Sequence, residues 1–108
     1  MSGYVYLIKD SYNSVYKIGV TKKIEGSKRL KALQTGNASE LKLLYSFYTQ
    51  YPFRLETMIH NKFKQYHISG EWYDLPLKHV DEFEQICAEN DNIIMAMLDN
   101  PFFIKDIK

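Results

Sequence analysis

The spacing of apolar residues changes along the chain, and each change marks an element. Residues 4–8, Tyr-Val-Tyr-Leu-Ile, are β-branched and aromatic and predict a strand. Asp10, Ser11, Asn13 and Ser14 are turn formers, and residues 15–20, Val-Tyr-Lys-Ile-Gly-Val, predict a second strand. The short connection makes the pair an antiparallel hairpin. Gly19 inside that strand signals a bulge or a close backbone approach. Residues 21–27 read as a loop, with Ser27 as N-cap of a short helix from Lys28 to Gln34 that stops at Gly36-Asn37. A third strand is predicted over 41–49, with Leu41, Leu43, Tyr45 and Phe47 on one side.

From Pro52 to about Tyr66 the period lengthens. Leu55, Met58, Ile59, Phe63 and Tyr66 form one helical stripe. His67 to Gly70 ends it, and Glu71-Trp72-Tyr73-Asp74 is a short aromatic segment. Pro76 precedes a long helix, Lys78 to Leu98, with Val80, Phe83, Ile86, Cys87, Ile93, Ile94 and Met97 facing the core. Asn100-Pro101 breaks it, and Phe102, Phe103, Ile104 and Ile107 are expected to tuck back as a tail. The fold class expected is α+β, a small three-stranded antiparallel sheet flanked by helices. Residues 1–108 read as one domain, with 77–108 as a C-terminal helical extension packed on it.

Composition adds limits. A chain of 108 residues buries roughly two thirds of its unfolded surface, enough for one core. The single cysteine, Cys87, excludes an internal disulfide and a cysteine-rich zinc site, and favours an intracellular setting, cytoplasmic or nuclear. The opening Met-Ser-Gly-Tyr-Val-Tyr lacks a basic region followed by an apolar run, so no secretory leader is expected. No apolar stretch reaches the roughly 20 residues of a membrane span. The net charge of +1 hides an asymmetry. Residues 1–70 carry eleven Lys and Arg against four Asp and Glu, a balance of +7; residues 71–108 carry three against nine, a balance of −6. That division suggests a polyanion-facing front and a solvated acidic back.

Among the four acids of residues 1–70, Glu56 alone lies within a long amphipathic helix, about 85° from the centre of its apolar stripe. A carboxylate there is held by the core edge yet reaches solvent. His60, four residues on, shares that flank.

Tyr4-Val5-Tyr6, then Lys17-Ile18-Gly19 with Thr21 following, then the Arg29-Leu30 pair and Glu56, taken in this order, resemble the GIY-YIG nuclease superfamily. Tyr16-Lys17-Ile18-Gly19, Leu33-Gln34-Thr35-Gly36-Asn37, Glu56 with His60, and Gly70-Glu71-Trp72-Tyr73 look like the branch common in phages and large DNA viruses. The resemblance covers about residues 3–75. Lys17 stands where many members have a tyrosine, and the loop before Arg29 is about two residues longer than usual there. The resemblance implies an endonuclease that hydrolyses DNA phosphodiesters with Mg²⁺ or Mn²⁺.

The chemistry of these residue types agrees. One carboxylate on a rigid helix suits a single Mg²⁺ that keeps most of its waters, so Glu56 is the expected metal ligand. Arg29 can clamp a phosphate through two parallel hydrogen bonds, which lysine cannot imitate. Tyr6 or Tyr16 would orient or deprotonate water, helped if Lys17 or the metal lowers a phenol pKa from about 10. His60 could shuttle a proton. Lys22, Lys23, Lys28 and Lys31 would add phosphate attraction of low specificity. Trp72 reads as a hydrophobic lid on the sheet. Two other functions fit the same residues: a nucleic-acid-binding module that has lost the chemistry, and a protein-interaction adaptor using the acidic final helix. With no separate helix for the major groove, specificity would be structural or supplied by a protein partner.

Overall fold

The computed structural model describes residues 2–22 and 40–99. The expected helix Lys28–Gln34 and the tail 102–107 lie outside them, as do Lys23, Lys28, Arg29 and Lys31. The described architecture is α+β. Strand β1 (Gly3–Asp10) pairs antiparallel with β2 (Val15–Thr21) on one side and with β3 (Leu41–Thr49) on the other. Asp10 closes the hairpin: Oδ1 accepts from the Tyr12 and Asn13 amides at 3.0 and 3.1 Å, and Ser14 takes a left-handed φ of 54°.

Among the described residues the sheet has five strands, two more than expected. β4 (His67–Ser69) and β5 (Trp72–Tyr73) form a miniature hairpin turning at Gly70, φ 55°, and β5 extends the edge of β2, giving the order β3-β1-β2-β5-β4. Strands of three and two residues are too short for an alternating pattern to announce them.

Helix α1 (Pro52–Lys62) lies on one face of the sheet. Proline begins it, where the missing N–H costs nothing, and it gives way at Phe63 to a 3₁₀ turn, Lys64–Tyr66. The expected long last helix is two: α2 (Leu77–Asp81) and α3 (Phe83–Leu98), separated by Glu82. Val5, Leu7, Tyr16, Ile18, Leu55, Ile59, Phe63, Phe83, Cys87 and Ile94 form the core between sheet and helices. Thr49, 1% exposed, ties β3 to α3: its hydroxyl donates to Asp91 Oδ1 at 2.6 Å and accepts from the Tyr51 amide.

The opposite sheet face carries a smaller cluster of Tyr6, Ile8 and Leu41, flanked by Leu43 and Trp72. β3 contributes to both faces because a bulge opposite Leu7/Ile8 leaves Tyr45 paired with Leu7 and Leu43 with Ile8. The expected single stripe Leu41-Leu43-Tyr45-Phe47 is therefore split, Leu41 and Leu43 to the small cluster, Tyr45 and Phe47 to the main core. Among the described residues no helix is long and apolar enough to cross a membrane.

Candidate metal centre and nucleic-acid interface

The hairpin register sorts the two candidate phenols. Tyr6 pairs with Gly19 and Ile8 with Lys17, so Tyr6, Lys17 and Gly19 share the face away from the helices. Tyr16 pairs with Lys9 and points to the other face, where it is 3% exposed in the main core. The two tyrosines cannot address one phosphate. Tyr16 is a packing residue, and the expectation that it is catalytic is corrected. Gly19 marks a close approach rather than a bulge: a Cβ there would overlap the Tyr6 phenol.

β5 pairs with β2 only at Tyr16 and Lys17, with the Ile18 amide donating to Glu71 O beyond them. Among the described residues β2 has no strand partner on that side beyond this point, and α1 packs against it. His60 Nε2 donates to the Ile18 carbonyl at 3.2 Å, and the ring's Nδ1 accepts from the Tyr73 hydroxyl. Because a carbonyl only accepts, Nε2 must carry a proton. The ring thus joins helix, strand and the last strand of the sheet.

Glu56 stands one turn before His60, its Oε2 3.6 Å from Nε2, a charge contact beyond hydrogen-bonding range. Among the described residues that Oε2 is buried with no hydrogen-bond partner. A third group arrives from the β4–β5 turn. Glu71 Oε1 accepts from Lys17 Nζ at 2.8 Å, and that ammonium lies 5.7 Å from the Trp72 ring. Ligand atoms of Glu56, His60 and Glu71 all lie within 4.8 Å of one another.

Two carboxylates so close cannot both hold full charge cheaply, and the surroundings decide between them. Burial, reinforced by Glu71, pushes the Glu56 carboxyl above its ordinary range, with His60 opposing. Burial also works against a charge on Glu71, but the Lys17 ammonium, with help from Glu56 and His60, outweighs it and holds that carboxyl below the ordinary range. The Glu56 carboxylate raises the imidazole of His60 against the effect of burial. Burial, then Glu56 and Glu71, raises the Tyr73 phenol.

This donor set fits a divalent ion. An orphaned carboxylate oxygen beside a second carboxylate offers hard oxygen ligands, the preference of Mg²⁺ and Mn²⁺. His60 is less available, since both ring nitrogens are engaged; its geometry is that of a support for Glu56.

Of the residues singled out from sequence, Lys17, Glu56 and His60 gather at this corner. Tyr6 is on Lys17's face, 1% exposed and covered over Gly19. Lys22 is exposed at the end of β2. Arg29 lies outside the described residues, so its meeting with Glu56 is not described either. Trp72, half-buried, packs against the Tyr6–Ile8–Leu41 cluster, as a lid would. Sequence reasoning assigned no role to Glu71 or Tyr73. Their signal was the tetrapeptide Gly70-Glu71-Trp72-Tyr73 itself, whose turn folds back onto β2.

No curated protein and no solved structure matches the chain. The family model described as the T5orf172 domain matches residues 3–88, a span holding the hairpin, α1 and the whole Glu56–His60–Glu71 corner. The protein therefore belongs to the T5orf172 domain family, a GIY-YIG-like family.

Proposed function

We propose that this protein is a metal-dependent endonuclease that hydrolyses phosphodiester bonds in DNA, with Mg²⁺ or Mn²⁺ held at Glu56. The observation that carries the reading is the buried, unpartnered Oε2 of Glu56 within reach of Glu71. A buried carboxylate oxygen with nothing to accept is costly unless a cation or proton satisfies it. Family membership supports a nuclease-like role at the coarse level.

Glu56 and Glu71 would hold the ion, which supplies Lewis acidity toward the phosphate and the leaving oxygen. His60 keeps Glu56 in place through its bonds to Ile18 and Tyr73, and does not serve as a free proton shuttle. Lys17 brings a fixed positive charge to the Tyr6 face of the sheet, oriented by Glu71. If a phenol orients the attacking water, it is Tyr6, the one that shares a face with Lys17. Arg29 completes the reading as phosphate clamp, and Lys22, Lys23, Lys28 and Lys31 as non-specific contacts.

A binding module without chemistry is the second reading. It is favoured by Lys17, which occupies the place of a motif tyrosine and is already paired with Glu71. Nicking of supercoiled plasmid with Mg²⁺ or Mn²⁺ separates the two. The endonuclease reading expects wild type to nick, and Glu56→Ala and Arg29→Ala to lose about 10²-fold or more. Binding at low salt with no nicking by wild type gives the case to the module. No binding at any salt leaves only a protein-interaction role.

A further inference from the structure

Helix α1 and β2 run side by side past the metal corner, with an approach of the two at each end of the groove between them. His60 meets the Ile18 carbonyl at one end. At the other, Pro52 and the Thr21 carbonyl both close on Gly3, where an added Cβ would meet each of them. Between β2 and the first turn of α1 lies a cleft of about 210 Å³ lined by Val20, Thr21, Lys22, Pro52 and Phe53.

Phe53 is the unusual member. It is 61% exposed, a large ring at the start of a helix whose other apolar residues face the core. Three residues before Glu56, it lies on the adjoining flank, about 4.5 Å along the helix axis. Val20 and Pro52 give the cleft apolar walls, and Lys22 sets an exposed cation at its mouth. A flat aromatic wall, an apolar floor and one ammonium match a heterocycle attached to a phosphate. They match no other part of a polyanion.

We infer that this cleft takes one unpaired nucleobase of a DNA strand, stacked on Phe53, with the adjoining phosphate on Lys22 and the next phosphodiester over Glu56. The inference rests on the endonuclease reading for its ligand and deepens it. The preferred substrate is then single-stranded, flayed or mismatched DNA, because a paired base cannot leave its stack without cost. Stacking on an exposed ring tolerates any base, which supplies structural rather than sequence preference.

The test uses a single-stranded oligonucleotide carrying 2-aminopurine, bound in EDTA at low salt, with a fully paired duplex of the same sequence beside it. Wild type and Phe53→Trp are expected to change the 2-aminopurine emission through stacking; Phe53→Ala is expected to lose that change. Phe53→Ala is also expected to weaken single-strand binding roughly 5- to 150-fold. Its duplex affinity is expected to stay within about twofold, as for an ordinary surface substitution. Because Phe53 is exposed, its removal leaves the core intact, which circular dichroism checks. An unchanged 2-aminopurine signal with wild type, or equal losses on both DNA forms, overturns the cleft assignment. Metal-dependent nicking that needs Glu56 but shows no Phe53-dependent stacking sinks the cleft and spares the endonuclease. Phe53-dependent stacking with no nicking does the reverse, and failure to bind either DNA form sinks both.

Discussion

The Tyr73 hydroxyl donates to Nδ1 of His60, and this bond ties strand β5 to the helix that carries Glu56. With Nε2 turned to the Ile18 carbonyl, the ring has no free nitrogen. A histidine four residues from a carboxylate invites a proton-transfer role; here its partners make it a strut. Tyr73 is 2% exposed and sits edge-on to the same ring at a centroid distance of 5.1 Å, so packing and hydrogen bond act together.

Tyr73→Phe keeps the packing and removes the donor. Nδ1 then lacks its partner in a part-buried site, which costs about 1 kcal/mol. Urea unfolding is expected to show a lower midpoint with an unchanged slope. The nitrogen chemical shifts of His60 report the tautomer directly. A wild-type ring protonated only on Nδ1 would contradict the arrangement.

The two carboxylates of the corner pull stability in opposite directions with pH. The folded pKa of Glu71 lies below its ordinary value of 4.5, so its contribution is fully present above pH 4.5 and is lost as pH falls through the folded value. Glu56 lies above 4.5, so its charge costs stability that sets in as pH rises from 4.5 through the raised value and then levels off. Glu71→Gln is therefore expected to lower Tm at neutral pH, with the deficit closing in acid. Glu56→Gln is expected to raise Tm at neutral pH, with the gain vanishing in acid. The cost on Glu56 follows from burial and from the second carboxylate beside it. Melting curves from pH 3.5 to 8 decide it, and a Glu56→Gln protein less stable than wild type at pH 8 would count against the buried, orphaned carboxylate.

Much of this was readable from residue order, for identifiable reasons. The hairpin, the third strand and α1 carry long periodic patterns, and Glu56 with His60 follows from i, i+4 geometry alone. Tyr16 adjoins Lys17-Ile18-Gly19 in sequence but leaves the Tyr6 face, because a strand alternates faces. Counting from Tyr6 through the register to Gly19 puts Tyr16 on the far side. Glu71 and Tyr73 escaped because a two-residue strand has no period, and Lys17 and Glu71 meet across 54 positions of sequence. Phe53 escaped for the opposite reason: an exposed ring off the apolar stripe of its helix breaks a pattern instead of making one.

Gly19→Ala tests the register across β1 and β2. The added methyl collides with the Tyr6 phenol, a side chain itself 1% exposed. Overpacking of this kind costs about 1–3 kcal/mol. In a Tyr6→Leu background the obstructing ring end is gone, so the same alanine should cost much less. Chemical denaturation of the four proteins in the cycle measures the coupling. Additive costs would mean that the two side chains do not meet.

Thr49→Val asks whether α3 belongs to the same cooperative unit as the sheet. Val is close in shape to Thr, so the core is nearly unchanged while the hydroxyl disappears. Two groups lose a partner at once: the Tyr51 amide at the entry to α1, and Asp91 on α3. A hydrogen bond to a charged acceptor is worth about 1.5–3 kcal/mol, so a loss of that order is expected. Asp91→Ala removes the far end of the same bond. Because the two residues share this bond, the double variant is expected to be barely worse than the worse single, and full additivity would mean that the bond contributes nothing. Two separate transitions in denaturant would instead describe a helix that rides on the sheet without sharing its stability. Phe83, Cys87 and Ile94 of α3 have no exposure at all, and they lie in one core with Val5 and Ile18. That shared burial is the reason to expect a single transition.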